Sequence, residues 1–330
     1  MNIIELINRR RLIQGPKDKL MCVSPLKHKW AWTMLDAMEE NTWFPKSIAM
    51  NDDILCYRER LTPAKRGMYD KALAFLSNLD GIQFNNLITN IGSHITSPEV
   101  SMVLARQAYE EANHVRAYST MTEAISLEPH KIYGMYLTDE ILAKKNATIM
   151  QSSDALMQGE FTPKKFAYAV IGNICLEGIF FYSGFLDFYW LAKEGEMIRS
   201  ADQIKYIQRD EETHLAAFVH MYFTLQQENP EIFDADFYAE AEKIFRASVE
   251  LEIAWGKHTS HGVISDEIID NYIKHLANKR TALLGWDALY PGVRNPVPWV
   301  DKFSAINGVE TNFFEGKPTD YQAGGGLEWD

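Results

Sequence analysis

Two Glu-x-x-His motifs stand 100 residues apart in this sequence, at Glu111–His114 and at Glu211–His214. Because a helix completes one turn in about 3.6 residues, this spacing places both side chains of a motif on one helix face. Carboxylate and imidazole groups on such a face are typical metal ligands. A single motif would be weak evidence in a chain with 45 acidic residues. Two motifs, each in a stretch with an apolar face, indicate one metal site that both helices share.

Each motif is preceded by a stretch that carries a single acidic side chain among uncharged residues. Asp80 lies in LAFLSNLDGIQF, 31 residues before Glu111. Glu177 lies in IGNICLEGIFFY, 34 residues before Glu211. A lone buried carboxylate is costly unless it pairs with a cation or binds a metal. The predicted metal ligands are therefore Asp80, Glu111, His114, Glu177, Glu211 and His214.

Four carboxylates and two imidazoles inside a four-helix bundle predict a dinuclear iron or manganese site. Zinc fits less well, because catalytic zinc sites usually have three protein ligands and no bridging array of carboxylates. A second interpretation is purely structural: a bundle whose buried acids and histidines pair only with each other. Such a protein would purify without metal.

The elements that position these groups are predicted to be helices throughout. Thr62-Pro63, Ser97-Pro98 and Thr162-Pro163 each combine an N-cap residue with a proline in the first turn, ahead of an apolar pattern with helical spacing. We find no strand run and no alternation of strands and helices. Several helices extend over 20–30 residues, which favours an all-α bundle with a four-helix metal core and extra helices. Further helical patterns cover residues 137–157, 197–227, 237–259 and 265–285.

The composition supports a folded core and excludes several classes of protein. Apolar residues make up 46% of the 330 residues and aromatic residues 12%, so a largely disordered chain is excluded. The formal net charge of −12 argues against a broad nucleic-acid-binding face. Cys22, Cys56 and Cys175 are too few for a disulfide framework, which predicts a reducing, cytoplasmic compartment.

One apolar stretch, residues 166–192, is long enough to cross a membrane. A carboxylate such as Glu177 near its middle would be expensive in lipid, so we expect a buried bundle helix and no membrane span.

Both ends of the chain differ in composition from this interior. We expect an N-terminal irregular segment at 1–27, a helical domain at 28–286, and a C-terminal segment with a flexible tail at 287–330.

The motif regions resemble the radical-generating beta subunit family of class I ribonucleotide reductases, which are ferritin-like proteins. The resemblance covers residues 30–225 and rests on LSNLDGIQ, YEEANHVRAYS, LEGIFFYSGF and IQRDEETHL. It implies a metal pair at the six predicted ligands, with iron as the first choice and two manganese ions or a mixed pair as alternatives. It also implies that Tyr118 is oxidised to a radical inside an apolar pocket formed by Phe181, Phe185 and Ile207.

The same resemblance implies a route by which the radical leaves this subunit. Trp43, in TWFP, and Asp210 match the family's radical-transfer tryptophan and the aspartate that links it to the first histidine. Tyr321, the only tyrosine in the last 30 residues, is the candidate in the tail. The implied partners are a second copy of this chain, the large alpha subunit that reduces ribonucleoside diphosphates, and a flavoprotein activator if manganese is used. Gln107 departs from well-known bacterial members, which carry tryptophan there; this bears on electron delivery during cofactor assembly.

Two other functions of the same superfamily stay open at this point. A desaturase or a ligand-binding oxidase would have an open apolar substrate channel and no need for Tyr118. An iron-storage protein would assemble into a cage, although storage subunits are about half as long as this chain. The mass of the assembly in solution separates a dimer from a cage.

Overall fold

The computed structural model of the protein describes residues 2–17 and 20–304. Within these ranges the chain is helical, and one isolated antiparallel bridge joins Ile13 to Ile95. Three segments with wider, π-helical turns are Cys56–Arg60, Asn86–Ile91 and Leu176–Phe180. The α-helices of the described residues are α1 (Ile3–Asn8), α2 (Lys29–Glu40), α3 (Asn51–Leu55), α4 (Pro63–Asn85), α5 (Gly92–His94), α6 (Pro98–Ile125), α7 (Pro129–Tyr133), α8 (Glu140–Asp154), α9 (Pro163–Cys175), α10 (Tyr182–Lys193), α11 (Ile198–Glu228), α12 (Ala235–Thr259), α13 (Asp266–Leu283) and α14 (Trp299–Ser304).

The three predicted helix starts of the core are confirmed. Thr62, Ser97 and Thr162 each accept a hydrogen bond from the backbone N–H three residues later, at 3.3, 3.4 and 3.2 Å. The following residue is proline at the first helical position in all three helices. These caps satisfy backbone donors that the first turn leaves without a partner, so α4, α6 and α9 begin where the sequence predicts.

Two helices near the N-terminus differ from the expectation. Residues 3–8 were predicted to be irregular, yet they form α1 because Asn2 and Glu5 make a reciprocal capping box. Helix α2 was not predicted, although its buried residues Ala31, Met34, Leu35 and Met38 have helical spacing. Helix α2 packs on α6 and α11 and ends three residues before Trp43, so it places that residue beside the core.

Four helical elements carry the predicted metal ligands. Helix α4 packs along α6, and α11 packs against both α9 and α10. Asp80 lies on α4, and Glu177 lies in the π-helical segment between α9 and α10. The two Glu-x-x-His motifs lie on α6 and α11. Helices α2, α12 and α13 pack around this core, which confirms the predicted all-α bundle with extra helices.

The apolar stretch is a core element of the bundle. The continuous helical run of residues 163–193 is long and apolar enough to cross a membrane, with a mean hydropathy of 1.5 in its most apolar window. However, 89% of that window is buried inside the protein. Burial among the other helices therefore accounts for its composition, as the position of Glu177 predicts.

A buried ion pair and its hydrogen-bonded neighbour link the helices α8, α10 and α12. Lys145 of α8 has no exposed surface and donates to Glu252 of α12, which also accepts from the Ser183 hydroxyl. The Lys145 ammonium lies 3.5 Å from the centre of the Phe75 ring. Burial lowers the pKa of Lys145 to about 8, and the Glu252 charge opposes this fall. The lysine is therefore held charged by its partner rather than by water.

Replacing Lys145 with methionine is expected to destabilise the fold by about 3–5 kcal/mol, because Glu252 is left buried without its counter-charge. Urea unfolding followed by circular dichroism measures this. The matched control is Lys144→Met, which changes an exposed neighbour on the same helix and should shift the free energy of unfolding by no more than about 0.5 kcal/mol. Equal unfolding midpoints for the two variants would show that the pair does not stabilise the fold.

Candidate metal centre

The six predicted ligands meet inside the bundle, and all six side chains are fully buried. Their ligand atoms form two overlapping groups, within each of which the atoms lie no more than 4.8 Å apart. Glu111 and Glu211 belong to both groups, so their carboxylates would serve both ions of a bound metal pair. The first group is Asp80, Glu111, His114 and Glu211; the second is Glu111, Glu177, Glu211 and His214.

Both imidazoles present the same nitrogen to the shared carboxylates. Nδ1 of His114 lies 3.1 Å from Oε1 of Glu211 and 3.7 Å from Oε2 of Glu111. Nδ1 of His214 lies 2.9 Å from Oε2 of Glu211 and 3.2 Å from Oε1 of Glu111. The Nε2 atoms face other carboxylates on the far side of each ring. Nδ1 is thus the nitrogen available to a cation in both halves of the centre.

Several ligand atoms in this centre are buried without a hydrogen-bond partner among the described residues. Leaving polar atoms buried and unpaired is costly in a protein interior, so a cluster of them calls for an explanation. Carboxylate oxygens and imidazole nitrogens are the donors that iron and manganese accept, and the residues present fit a dinuclear metal centre. The atoms with no polar partner within hydrogen-bond distance are both oxygens of Asp80, Oε2 of Glu111 and Oε2 of Glu177.

Burial and neighbouring charges shift the pKa values of the ionisable groups in the centre. Burial raises the pKa of Asp80 and of Glu177 well above the usual values. Burial opposes charging of His114 and His214, but the surrounding carboxylates raise the pKa of both imidazoles well above its ordinary range. The acidic cluster thus favours the protonated form of both rings, and a cation bound at Nδ1 would take the place of a proton there.

Tyr118 lies four residues after His114 on α6 and is fully buried. Its hydroxyl has no hydrogen-bond partner among the described residues. Burial raises the pKa of this phenol well above 10, and the charges of Asp80, Glu211 and Glu111 raise it further. The phenol is therefore neutral, and removing an electron from it must also remove its proton. The three predicted pocket residues are fully buried in the same core: Phe181, Phe185 and Ile207.

Trp43 is joined to the centre through Asp210. The indole N–H of Trp43 donates to Oδ2 of Asp210 at 2.7 Å, and Nε2 of His114 lies 3.2 Å from the same oxygen. The Trp43 ring also stacks on Tyr206, with ring centres 5.2 Å apart. Only 8% of the Trp43 surface is exposed, so the residue lies at the edge of the core, with a continuous hydrogen-bonded connection inward. Tyr321, the remaining residue of the predicted route, lies outside the described residues.

Comparison with known proteins agrees with this geometry. The family model described as "Ribonucleotide reductase, small chain" matches residues 20–296. The chain belongs to the ribonucleotide reductase small-chain family. The ribonucleoside-diphosphate reductase subunit beta of Treponema pallidum is 36% identical to it over 331 residues, which cover 96% of this chain and 91% of the relative. The corresponding subunit of Chlamydia pneumoniae is 32% identical over 343 residues, which cover 98% of this chain and 96% of the relative.

A solved structure is similar over nearly the same extent. The ribonucleotide reductase R2 subunit from Clostridium botulinum has a TM-score of 0.85 and 35% sequence identity, and the match covers 90% of this chain and 94% of that one. The predicted family, the ferritin-like bundle and the enzyme class are therefore confirmed. As a ribonucleotide reductase small chain, the protein works with a large subunit, and an oxidase or storage function is not favoured.

One carboxylate that contacts the centre of this small chain was missed in the sequence. Oε2 of Glu110 lies 2.9 Å from Nε2 of His214, and Arg106 pairs with Glu110 at 3.0 Å. Glu110 therefore orients His214 as Asp210 orients His114, each acid lying directly before the glutamate of the opposite motif. The signal was present, because an acid precedes the motif glutamate in both EEANH and DEETH.

Two glutamines were also not predicted as contacts of the metal centre. Gln83 and Gln107 are fully buried, and the side-chain N–H groups of both donate to Oε1 of Glu177. Gln83 lies three residues after Asp80, on the same face of α4, and this spacing was the available signal. For Gln107 the sequence indicates only a departure from the tryptophan of well-known bacterial members.

Proposed function

We propose that this chain is the radical-generating subunit of a ribonucleoside-diphosphate reductase and binds two metal ions through the six predicted ligands. The supporting observation is the pair of overlapping ligand groups that share Glu111 and Glu211, with unpaired ligand atoms facing both positions. Tyr118, one turn beyond His114 on the same helix, is the group to be oxidised. A purely structural cluster would not leave so many buried ligand atoms without partners.

Iron is the first choice of metal, with two manganese ions or a mixed manganese–iron pair as alternatives, since the same carboxylate and imidazole ligands suit both elements. A bound pair in its oxidised form would supply the one-electron oxidant for the nearby phenol. If manganese is used, a flavoprotein activator must deliver the oxidising equivalent, and that protein is a further partner.

The role of Tyr118 is to store the oxidising equivalent. Full burial keeps water and reductants away from the ring, and Phe181, Phe185 and Ile207 are proposed to line the apolar pocket around it. The hydroxyl makes no hydrogen bond among the described residues, and burial together with the nearby carboxylates keeps the phenol protonated until the ring is oxidised. These conditions favour a long-lived organic radical.

The radical is proposed to leave through His114, Asp210 and Trp43. One carboxylate oxygen of Asp210 joins the imidazole and the indole, so a proton can move along the same contacts as the electron. From Trp43 the route continues through Tyr321 in the C-terminal tail, which we propose docks on the large subunit. The substrate binds the large subunit rather than this chain.

The remaining features of the proposed assembly concern its organisation. We propose a cytoplasmic homodimer in which residues 28–286 form the helical domain, flanked by segments 1–27 and 287–330. Part of the C-terminal segment packs on the bundle, since Val297 and Val300 are buried there. We propose that the residues after this packed part dock on the large subunit.

The test is reconstitution of the metal-free chain with Fe(II) and oxygen, with a parallel sample given manganese and its activator. We expect two metal ions per chain, an organic radical signal in electron paramagnetic resonance (EPR), and deoxynucleotide formation after the large subunit and a ribonucleoside diphosphate are added. Metal analysis, EPR and product chromatography measure the three quantities. Two bound metals without deoxynucleotide in either sample would contradict the proposal.

Deleting residues 311–330 is expected to abolish nucleotide reduction and leave the radical intact, because docking and storage reside in different parts of the chain. The radical is quantified by EPR, and turnover is measured with a saturating amount of large subunit. The undeleted chain carrying the same purification tag is the control. Equal turnover with and without the tail would rule out its docking role.

A further inference from the structure

The two halves of the metal centre differ in how their lone carboxylates are held. On α4, neither oxygen of Asp80 has a hydrogen-bond partner among the described residues. In the π-helical segment, Oε1 of Glu177 accepts from the amides of both Gln83 and Gln107, the latter at 2.7 Å. Oε2 of Glu177 has no such partner and lies 3.9 Å from Nδ1 of His214. Asp80 has two oxygens free to bind a cation, whereas Glu177 has one.

The orientation of the Gln83 amide is set by its neighbours. The Asn173 side-chain N–H donates to the Ala169 carbonyl at 2.7 Å, so the Asn173 oxygen faces the other way. That oxygen accepts from Gln83 at 3.1 Å and from Asn86 at 2.9 Å. A flipped Gln83 amide would set its oxygen against both the Asn173 oxygen and the Glu177 carboxylate. Gln83 must therefore present its N–H groups to Glu177.

The chain of amides continues away from the metal centre. Asn86 donates to the Gln83 oxygen at 3.0 Å, and the Asn86 oxygen accepts from Asn90 at 3.3 Å. Asn90 in turn donates to the Ser153 carbonyl at 3.0 Å. We call Asn90, Asn86, Gln83 and Asn173 the amide ladder. Asn86 and Asn173 also line a largely apolar cleft of about 390 Å³ between α8, α9 and α12, so the ladder runs from that cleft to Glu177.

We propose that the amide ladder and Gln107 are positioning residues that restrict Glu177 to one-oxygen ligation of a single cation position. This inference rests on the proposed metal-binding function. Two N–H donors occupy Oε1, so turning that oxygen towards a cation would break both hydrogen bonds inside the core. The amides also supply hydrogen-bond donors to a carboxylate that burial has separated from water. Asp80, which lacks such donors, keeps both oxygens for the other position.

The test uses Gln83→Met, which keeps the length of the side chain and removes its donors. Metal-free chain is titrated with Mn(II), and free Mn(II) is followed by its EPR signal to give both binding constants. Loss of a supporting contact around a metal site typically weakens binding about 10–100-fold. We expect one of the two constants to fall by at least about 10-fold while the other stays within about twofold.

The matched control is Gln203→Met, another fully buried glutamine, whose amide contacts the sulfur of Met50. It should leave both constants unchanged. Asn86→Leu severs the ladder without touching Glu177 and should weaken the same constant by a smaller factor than Gln83→Met. Melting temperatures of all variants separate loss of metal affinity from loss of fold.

The outcomes distinguish this inference from the function on which it rests. Two Mn(II) ions bound by the wild-type chain, with both constants unchanged or raised in Gln83→Met, would overturn the role of the ladder alone. A fall of both constants by equal factors would do the same, because the effect would not be confined to the Glu177 position. Failure of the wild-type chain to bind two ions would overturn both proposals.

Discussion

Replacing Tyr118 with phenylalanine is expected to abolish the organic radical and nucleotide reduction together, with both metal ions still bound. The phenylalanine ring has no hydroxyl proton to release and is far harder to oxidise. The substitution should cost the fold little, because the Tyr118 hydroxyl makes no hydrogen bond among the described residues. Removing an unpaired buried polar group is close to neutral or even stabilising.

The measurement combines metal analysis, EPR and turnover with the large subunit on the same preparation. Tyr69→Phe is the matched control, since Tyr69 is a buried tyrosine on α4 whose hydroxyl contacts Ser200. That variant should keep the radical. An unchanged radical yield in Tyr118→Phe would show that another residue carries the radical and would contradict the assignment of Tyr118.

Replacing Trp43 with phenylalanine is expected to leave the metal ions and the radical in place and to reduce turnover about 100-fold, the upper end of the effects seen for groups that support a metal ligand. The substitution removes the N–H that donates to Asp210 and retains an aromatic ring against Tyr206. The contact between Asp210 and His114 survives, so the metal centre keeps its support. The variant therefore distinguishes formation of the radical in this chain from its transfer to the large subunit.

Trp30→Phe is the control for this second prediction, because Trp30 also lies near the start of the chain and donates its indole N–H, in its case to Thr224. Turnover should be unchanged in this variant. The experiment follows radical yield by EPR and product formation with the large subunit. Normal turnover in Trp43→Phe would exclude Trp43 from the route.

The sequence predicted what depends on local spacing. Three helix starts followed from a cap residue and a proline, and the convergence of the six ligands followed from repeated spacing on helices of similar length. The contacts of Glu110 and Gln83 were missed because they cross between helices and depend on how α6 meets α11 and how α4 meets the Glu177 segment. No pattern of residue types specifies those crossings in advance.

The wider turn at Leu176–Phe180 was not predicted for a different reason. Residues 173–189 are all buried, so this stretch has no exposed polar face whose phase an extra residue would shift, and periodicity does not reveal the wider turn. Its backbone is secured by tertiary contact: the buried Arg280 side chain of α13 donates to the Gly178 carbonyl at 3.0 Å. Only the packing of α13 against this segment identifies the partner.

That wider turn makes the length of this segment as important as its residue types. Deleting one residue from Leu176–Phe180 would restore an ordinary turn and rotate α9 against α10 by about 100°. Glu177 and Phe181 could not then both keep the directions they have now. Insertions and deletions here should consequently be purged by selection even where single substitutions are accepted. The number of residues in this segment therefore sets the orientation of the acidic side chain Glu177 relative to the aromatic side chain Phe181.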